Sequence, residues 1–200
     1  DGCMKFESDC SQCPQLKNTI DENYSKIIQD AKIRALEHLK DDQLIIVSPS
    51  VWLLELSKKS KVTKRFRHVV VPNPSFKNTS APNSKEVVRK KLGLPVDKKI
   101  VMFASGNLNN TRKGIGLLFQ AVRSLSGGKD IVLVGIGHKA KPQEGLKIVY
   151  TGSLSNVDLL ASYFYAADVF VTPTLADNSP LVVIEALCCG TPVVASEVGG

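Results

Sequence analysis

Short apolar runs alternate with helix-like patterns along most of the chain. Runs of four or five apolar, often β-branched residues are typical of strands buried in a parallel sheet, and apolar residues spaced three or four apart predict helices. The predicted strands are Leu44–Val47, His68–Val71, Ile100–Ala104, Ile131–Val134, Lys147–Tyr150, Val169–Thr172 and Val193–Ala195. The predicted helices are 22–40, Val51–Ser57, Lys85–Leu92, 114–125, Asn156–Ala167 and Leu181–Leu187. This alternation predicts an α/β fold, a doubly wound parallel sheet with helices on both faces.

A stretch rich in proline, asparagine and serine, residues 75–84, interrupts the pattern and predicts a linker. Residues 85–200 carry the regular alternation and are predicted to form a Rossmann-like domain, truncated at its C-terminal end. Residues 1–74 contain too few strands for a second complete domain of this kind. We expect them to be the C-terminal tail of a preceding α/β domain.

The composition and the distribution of charge limit the classes of protein to which this chain can belong. The chain has 200 residues, 43% of them hydrophobic, and no apolar run approaches the roughly 20 residues of a membrane-spanning helix. We expect a soluble, cytoplasmic protein. Its net charge of +7 is concentrated in a basic cluster without acids, made of Lys58, Lys59, Lys61, Lys64, Arg65 and Arg67. This cluster is either a solvated helix face and loop or a contact for a polyanion such as the anionic inner face of a membrane. Only Phe66 is interleaved with it, which argues against nucleic acid.

Three of the five cysteines, Cys3, Cys10 and Cys13, lie close together near the beginning of the chain. A C-x-x-C pair can hold zinc, but a structural zinc site needs four ligands. A partial zinc site, a disulfide and reduced thiols all remain open.

The segment after the strand Ile100–Ala104 is a candidate phosphate site, because ligands of doubly wound sheets bind outside the carboxyl ends of the strands. Gly106 allows close approach of the backbone. Arg112 and Lys113 are predicted in the first turn of a helix beginning near Gly114, where cations oppose the helix dipole. A bound phosphate would favour both cations there. The alternative is a basic surface loop.

The segment after the strand Val169–Thr172 carries two acids. Asp177 precedes a helix for which Ser179 is the predicted N-cap and Pro180 the first residue. Glu185 lies in an apolar stretch of that helix, and burial of a lone carboxylate is costly unless a partner satisfies it. The two hydroxyls of a ribose could both donate to it. The alternative is that Glu185 lies on the exposed edge of the helix.

A glycine motif from Gly135 to Ala140 matches the dinucleotide fingerprint G-x-G-x-x-A. We reject that function, because the segment 141–145 disfavours the required helix and no acid ends the next strand. The glycines are predicted to form a tight turn beside a ligand. Because no metal-binding motif or nucleophile elbow is present, we expect no cofactor, and any stabilisation of a leaving phosphate would come from Arg112, Lys113 and helix N-termini.

Several segments resemble, in order, the "group one" family of retaining GT-B glycosyltransferases. They are Val70–Pro74, Arg112–Gly114, Ile131–Gly135, Ala166–Thr174, and Asp177 followed by Glu185–Ala195. The last is the most specific. The segment Cys10–Leu16 also looks like one found in polysaccharide-building bacterial members.

The resemblance implies a two-domain enzyme whose C-terminal domain binds a nucleoside-diphosphate sugar. By position, Lys113 matches the family lysine that neutralises the diphosphate, and Glu185 matches the acid that binds the ribose. Asp177 matches the acid that contacts the donor sugar, a position at which the family usually has Glu. Further donor-site positions implied by the resemblance are Asn178, Ser179, Pro180 and Leu181 at the phosphate and sugar, and Tyr150 and Thr151 at the base. The family commonly has Gly-Arg-Leu where this chain has Gly106-Asn107-Leu108, and we expect Arg112 to replace that arginine.

These observations predict a retaining glycosyltransferase that acts on a glycan or lipid-linked acceptor, in cell-surface polysaccharide synthesis. The alternatives are a GT-B-fold nucleotide-sugar epimerase and a donor-binding module without catalysis.

Overall fold

The computed structural model describes residues 2–14, 16, 23–74, 84–125, 130–138 and 141–200. They belong to two units, residues 1–73 with 199–200, and residues 74–198. The predicted linker, apart from Ser84, lies outside the described residues, and the domain boundaries drawn from the sequence stay a prediction.

The first unit contains one small parallel sheet. A 3-10 turn, Lys5–Glu7, precedes helix α1, Tyr24–Leu36. Strand β1, Ile45–Ser48, pairs in parallel with strand β2, Arg67–Val70. Helix α2, Val51–Lys59, connects them and begins at Ser50, whose hydroxyl accepts the Leu53 N–H at 3.2 Å.

One face of this small sheet is uncovered in the described part of the chain. Ile45 and Val47, two residues apart on β1, are 48% and 58% exposed. Side chains two apart lie on the same face of a strand, and parallel strands are normally buried on both faces. The exposed face carries these two apolar side chains together with Arg67, which is in register with Ile45 and is also exposed.

The second unit is a five-stranded parallel sheet, ordered β5-β4-β3-β6-β7. Its strands are β3, Lys99–Asn107; β4, Ile131–His138; β5, Ile148–Gly152; β6, Val169–Thr172; and β7, Val193–Ala195. Its helices are α3, Lys85–Lys91; α4, Ile115–Ser124; α5, Val157–Ala166; and α6, Leu181–Cys188. A further 3-10 turn spans Thr111–Lys113.

Helices cover both faces of this sheet. Residues of α3, α5 and α6 pack with Ile100, Met102 and Phe170 in one buried cluster. Residues of α4 pack with Phe103 and Leu133 in another. Because Met102 and Phe103 are consecutive on β3, the two clusters lie on opposite faces. The predicted α/β, doubly wound parallel sheet is confirmed.

Two strands are longer than predicted. β3 and β4 stay in register through Ala104 and Ile136 and pair once more, after an irregularity, at Asn107 and His138. Gly106 and Asn107 therefore end a strand instead of beginning a loop, and the prediction of a tight turn at Gly135 was wrong.

The glycines of β4 allow this extension. A Cβ on Gly135 would lie 2.6 Å from Cζ of Phe103, and one on Gly137, whose φ is +143°, would lie 1.8 Å from the Ser105 carbonyl oxygen. Gly137 thus allows the backbone of β3 to approach closely, and Gly135 leaves room for the ring of Phe103.

An ionic network joins α3 to the starts of β3 and β6. Arg89, whose side chain is 7% exposed, lies 2.8 Å from Asp168 and also donates to the carbonyls of Ala166 and Lys98. Asp168 accepts the Ile100 N–H at 2.7 Å. Burial acts to raise the pKa of Asp168, but the Ile100 hydrogen bond and Arg89 outweigh it and hold that pKa below 3.8. The sequence did not predict this network, which stabilises the packing of α3 against the sheet.

Candidate functional site

The strand order creates a crevice at the carboxyl edge of the second sheet. From β3 the chain moves through β4 to β5 on one side, whereas β6 and β7 lie on the other. The loops that follow β3 and β6 therefore diverge at the topological switch point, where open α/β sheets bind ligands. Both loops singled out from the sequence are at this point.

Residues 111–114 and 173–177 hold the two loops together, and we call this contact the two-loop clasp. The Leu175 N–H donates to the carbonyl oxygen of Arg112 at 2.8 Å. The Thr174 hydroxyl lies 3.2 Å from the same oxygen. The single proton of that hydroxyl is shared with the Ala176 carbonyl oxygen, which also lies 3.2 Å away. The Leu175 N–H is therefore the main donor that the Arg112 carbonyl receives from this loop, more than 60 residues away.

Gly114 brings the backbones of the clasp together. Its φ is +64°, and a Cβ there would lie 1.8 Å from the carbonyl oxygen of Pro173. Glycine is needed for both the left-handed conformation and the close contact.

The conformation of Gly114 also corrects the predicted position of the two cations. Arg112 and Lys113 form a separate 3-10 turn, and Asn110 caps it by accepting the Arg112 N–H at 3.0 Å. Helix α4 begins after the left-handed Gly114, at Ile115. The cations therefore precede the helix instead of lying in its first turn.

Lys113 and Asp177 meet inside the clasp. The Lys113 Nζ lies 2.6 Å from Oδ2 of Asp177, and the side chains are 25% and 13% exposed. The other carboxylate oxygen, Oδ1, accepts the Asn178 N–H at 2.9 Å. The structure brings together two residues that the sequence could place only on separate loops.

Glu185 lies in α6, whose start agrees with the predicted range Leu181–Leu187 but whose cap differs from the predicted one. Its N-cap is Pro180, not Ser179, and its first residue is Leu181. Glu185 is partly buried, and burial raises the pKa of its carboxyl above 4.5. Among the described residues its side chain has no hydrogen-bond partner, so the carboxylate is available to a ligand.

The residues proposed for the base are at the end of β5. The Tyr150 hydroxyl donates to the Lys141 carbonyl at 2.9 Å, and burial raises the pKa of Tyr150. The Thr151 hydroxyl donates to the Gly152 carbonyl at 2.9 Å. Gly135 lies against the Tyr150 ring, because a Cβ there would be 3.0 Å from Cδ1. Contact of these residues with a nucleobase stays a prediction.

Asn107 occupies the position of the expected arginine. Its side-chain Oδ1 accepts the Asn109 N–H at 3.0 Å, and the Ser105 hydroxyl donates to its carbonyl at 3.0 Å. The side chain thus shapes the turn after β3. Arg112 is exposed, and its role as a replacement stays a prediction.

The cysteines do not form a metal site within the described ranges, where no group of three or more His, Cys, Asp or Glu residues could hold an ion. All five cysteines are described, and none is in a disulfide. Burial, followed by the nearby Cys13 and Cys3, raises the pKa of the Cys10 thiol. The possible partial zinc site at Cys3, Cys10 and Cys13 is not supported.

The basic cluster lies at the end of α2 and in the turn before β2. Lys58 pairs with Glu55 at 2.9 Å and Arg65 with Asp41 at 2.7 Å. The Arg65 guanidinium also stacks over Phe66, 4.2 Å from the ring centroid. No helix in the described part of the chain is long and apolar enough to cross a membrane.

A doubly wound parallel sheet with a paired cation and acid at its switch point places this chain among the α/β proteins that bind ligands at that edge of the sheet. A family model, glycosyl transferases group 1, matches residues 98–200. That is just over half of the chain, and the chain belongs to this family.

Two curated relatives are glycosyltransferases. The putative teichuronic acid biosynthesis glycosyltransferase TuaC of Bacillus subtilis (strain 168) is 36% identical over 117 residues, which cover 58% of this chain and 29% of TuaC. The D-inositol 3-phosphate glycosyltransferase of Mycobacterium tuberculosis (strain ATCC 25177 / H37Ra) is 34% identical over 131 residues, which cover 60% of this chain and 27% of that enzyme. The chain spans less than a third of the length of these relatives.

Solved structures share the fold. Sucrose-phosphate synthase from Thermosynechococcus elongatus matches with a TM-score of 0.68 at 23% identity, over 91% of this chain and 47% of that one. Anabaena Alr3699/HepE, in complex with UDP and glucose, matches with a TM-score of 0.63 at 16% identity, over 90% of this chain and 50% of that one.

Proposed function

We propose that this chain is the donor-binding part of a retaining glycosyltransferase. It transfers a sugar from a nucleoside-diphosphate sugar to a glycan or lipid-linked acceptor in cell-surface polysaccharide synthesis. Family membership and the TuaC relative support this proposal. The main structural support for the donor site is the Lys113–Asp177 pair, which the two-loop clasp holds at the switch point.

Each charged side chain has a separate task in this proposal. The Lys113 ammonium binds the diphosphate and stabilises the charge that develops on it as the sugar leaves. Arg112, exposed one residue earlier, adds a second positive charge. Asp177 accepts hydrogen bonds from the donor sugar. Glu185, partly buried and without a partner in the described ranges, accepts hydroxyls of the ribose.

The acceptor side rests on different residues. In the basic cluster, Lys59, Lys61, Lys64 and Arg67 are exposed. We propose that they attract the anionic inner face of a membrane that carries a lipid-linked acceptor, at a distance set by the Debye length of about 8 Å. In this proposal the enzyme is cytoplasmic and peripheral to the membrane.

A product assay tests the function. The full-length protein is incubated with UDP-glucose, GDP-mannose and ADP-glucose, with and without a polyprenyl-phosphosugar acceptor. We expect acceptor-dependent release of nucleoside diphosphate and a product with the anomeric configuration of the donor. Lys113→Met should abolish release, whereas Lys147→Met, an exposed lysine at the other edge of the sheet, should not.

Other outcomes separate the alternatives. A sugar altered while still attached to its nucleotide would identify an epimerase. Release of nucleotide without any transfer product would indicate hydrolysis. Donor binding with no turnover would indicate a binding module.

A further inference from the structure

The Lys113–Asp177 pair places a negative charge beside any anion that Lys113 binds. A phosphate oxygen contacts an ammonium at about 2.7–2.9 Å. Since Nζ lies 2.6 Å from Oδ2 of Asp177, a bound phosphate oxygen lies no more than about 5.5 Å from that carboxylate oxygen. The Asp177 carboxylate is therefore close enough to repel the negative charge of a bound diphosphate.

The carboxylate is held in this position by both of its oxygens. Oδ2 contacts Lys113, and Oδ1 accepts the Asn178 N–H. The loop that carries Asp177 is fixed in turn by the hydrogen bonds of Thr174 and Leu175 to Arg112. Because the side chain is only 13% exposed, rotation away from a ligand would break contacts on both sides.

The substrate and the product of the proposed reaction differ in charge at this point. The terminal phosphate of a free nucleoside diphosphate has a second ionisation near pH 6 and carries a charge close to −2 above it. In the nucleotide sugar the same phosphate is a diester with a single charge, and it presents sugar hydroxyls that can donate to a carboxylate.

We propose that Asp177 is a specificity determinant that disfavours the free nucleoside diphosphate relative to the nucleotide sugar, and so promotes release of the product. This inference rests on the proposed donor site. The extra unit of charge at about 5 Å predicts a discrimination of about threefold to tenfold at low ionic strength.

Binding of matched pairs to the full chain tests this inference. Dissociation constants are measured by calorimetry for UDP and UDP-glucose, GDP and GDP-mannose, and ADP and ADP-glucose. Asp177→Asn keeps the size of the side chain and removes its charge. We expect it to bind the free diphosphate about threefold to tenfold more tightly and the nucleotide sugar no more tightly than the wild type does. Asp177→Glu should restore the wild-type preference.

The pH dependence gives a second readout that a purely structural role of Asp177 would not change. As the pH rises through about 6, the terminal phosphate gains a charge that Lys113 attracts and Asp177 repels. The gain in affinity of Asp177→Asn over the wild type for the free diphosphate should therefore grow through about pH 6, and a gain that does not change with pH overturns the inference. Asp177→Ser also removes the charge and should behave in the same way, so it decides the matter if Asp177→Asn does not fold.

The remaining outcomes separate this inference from the proposed function. Equal weakening of both ligands by Asp177→Asn, or no change in either, would overturn the role of Asp177 while leaving the donor site in place. Failure of the wild-type chain to bind any nucleotide sugar or nucleoside diphosphate would contradict the proposed function itself.

Discussion

Replacement of Gly114 by alanine should open the two-loop clasp. The new Cβ would lie 1.8 Å from the carbonyl oxygen of Pro173 and 2.8 Å from its carbon. An ordinary contact requires about 3.5 Å, so one loop must move away from the other. The φ of +64° at this position adds strain that is independent of the contact.

The expected loss has two parts. The left-handed conformation costs a residue with a Cβ about 1–2 kcal/mol. Displacement of Pro173 also strains the contacts of the Leu175 N–H and the Thr174 hydroxyl with the Arg112 carbonyl, which together are worth about 1–2 kcal/mol. We therefore expect Gly114→Ala to lower the free energy of unfolding by about 2–4 kcal/mol, and to weaken donor binding because Lys113 and Asp177 are no longer held together.

Gly93 provides a matched control in the same unit. Its φ is +67°, but a Cβ there would have nothing within 4 Å. Gly93→Ala should lose only the conformational part, about 1–2 kcal/mol, and keep its affinity for donor. Urea unfolding and calorimetric titration measure both quantities. Equal stability and equal affinity in the two variants would refute the idea that close contact at Gly114 builds the site.

Three further predictions follow from individual charges. Glu185→Gln should weaken nucleotide binding by about 1–3 kcal/mol. Burial raises the pKa of Glu185 above 4.5, so wild-type affinity should fall as the pH drops through that raised pKa. The same shift means that a contribution to stability is present below pH 4.5 and is lost as the pH rises through the raised pKa. Both dependences should disappear in the variant, and if they persist in calorimetric and urea titrations, another group causes them. Lys113→Ala should weaken binding of a nucleoside diphosphate far more than of the bare nucleoside, and an equal effect in calorimetry would contradict contact with phosphate. Arg89→Met should lower the free energy of unfolding by about 1–3 kcal/mol, because the carbonyls of Ala166 and Lys98 lose this donor and the Asp168 carboxylate keeps only the Ile100 N–H and Lys85, without changing donor affinity below the unfolding transition. The pKa of Asp168 is held below 3.8, so its contribution is present above pH 3.8 and is lost as the pH falls through the lowered pKa. In acid titrations the variant should lose that contribution at a higher pH, and an unchanged profile would exclude this network.

The apolar pattern predicted the elements of the sheet well, because burial on both faces selects continuous apolar runs. Strands β6 and β7 begin and end as predicted. The ends of β3 and β4 did not follow this signal. These ends, Ser105 to Asn107 and Gly135 to His138, are polar or glycine-rich. They still pair as strand, with Gly137 against the backbone of Ser105 and Gly135 leaving room for the Phe103 ring.

The candidate site, like the sheet, could be predicted from the sequence only in part. The two loops could be predicted, because each follows a recognisable strand. The contact between Lys113 and Asp177 could not, since it depends on β3 and β6 being neighbours in the sheet although 61 residues separate them. The turn that places Arg112 before the helix was missed for a similar reason, because Gly114 packs directly against the carbonyl of Pro173, a residue distant in sequence.

The most direct test of the donor site is a crystal structure of this chain with a nucleoside-diphosphate sugar. We predict the diphosphate at hydrogen-bonding distance, about 2.7–2.9 Å, from Nζ of Lys113, the ribose hydroxyls on Glu185 and the sugar hydroxyls on Asp177. An ordered nucleotide bound away from the two-loop clasp, with Lys113 and Glu185 untouched, would contradict this account.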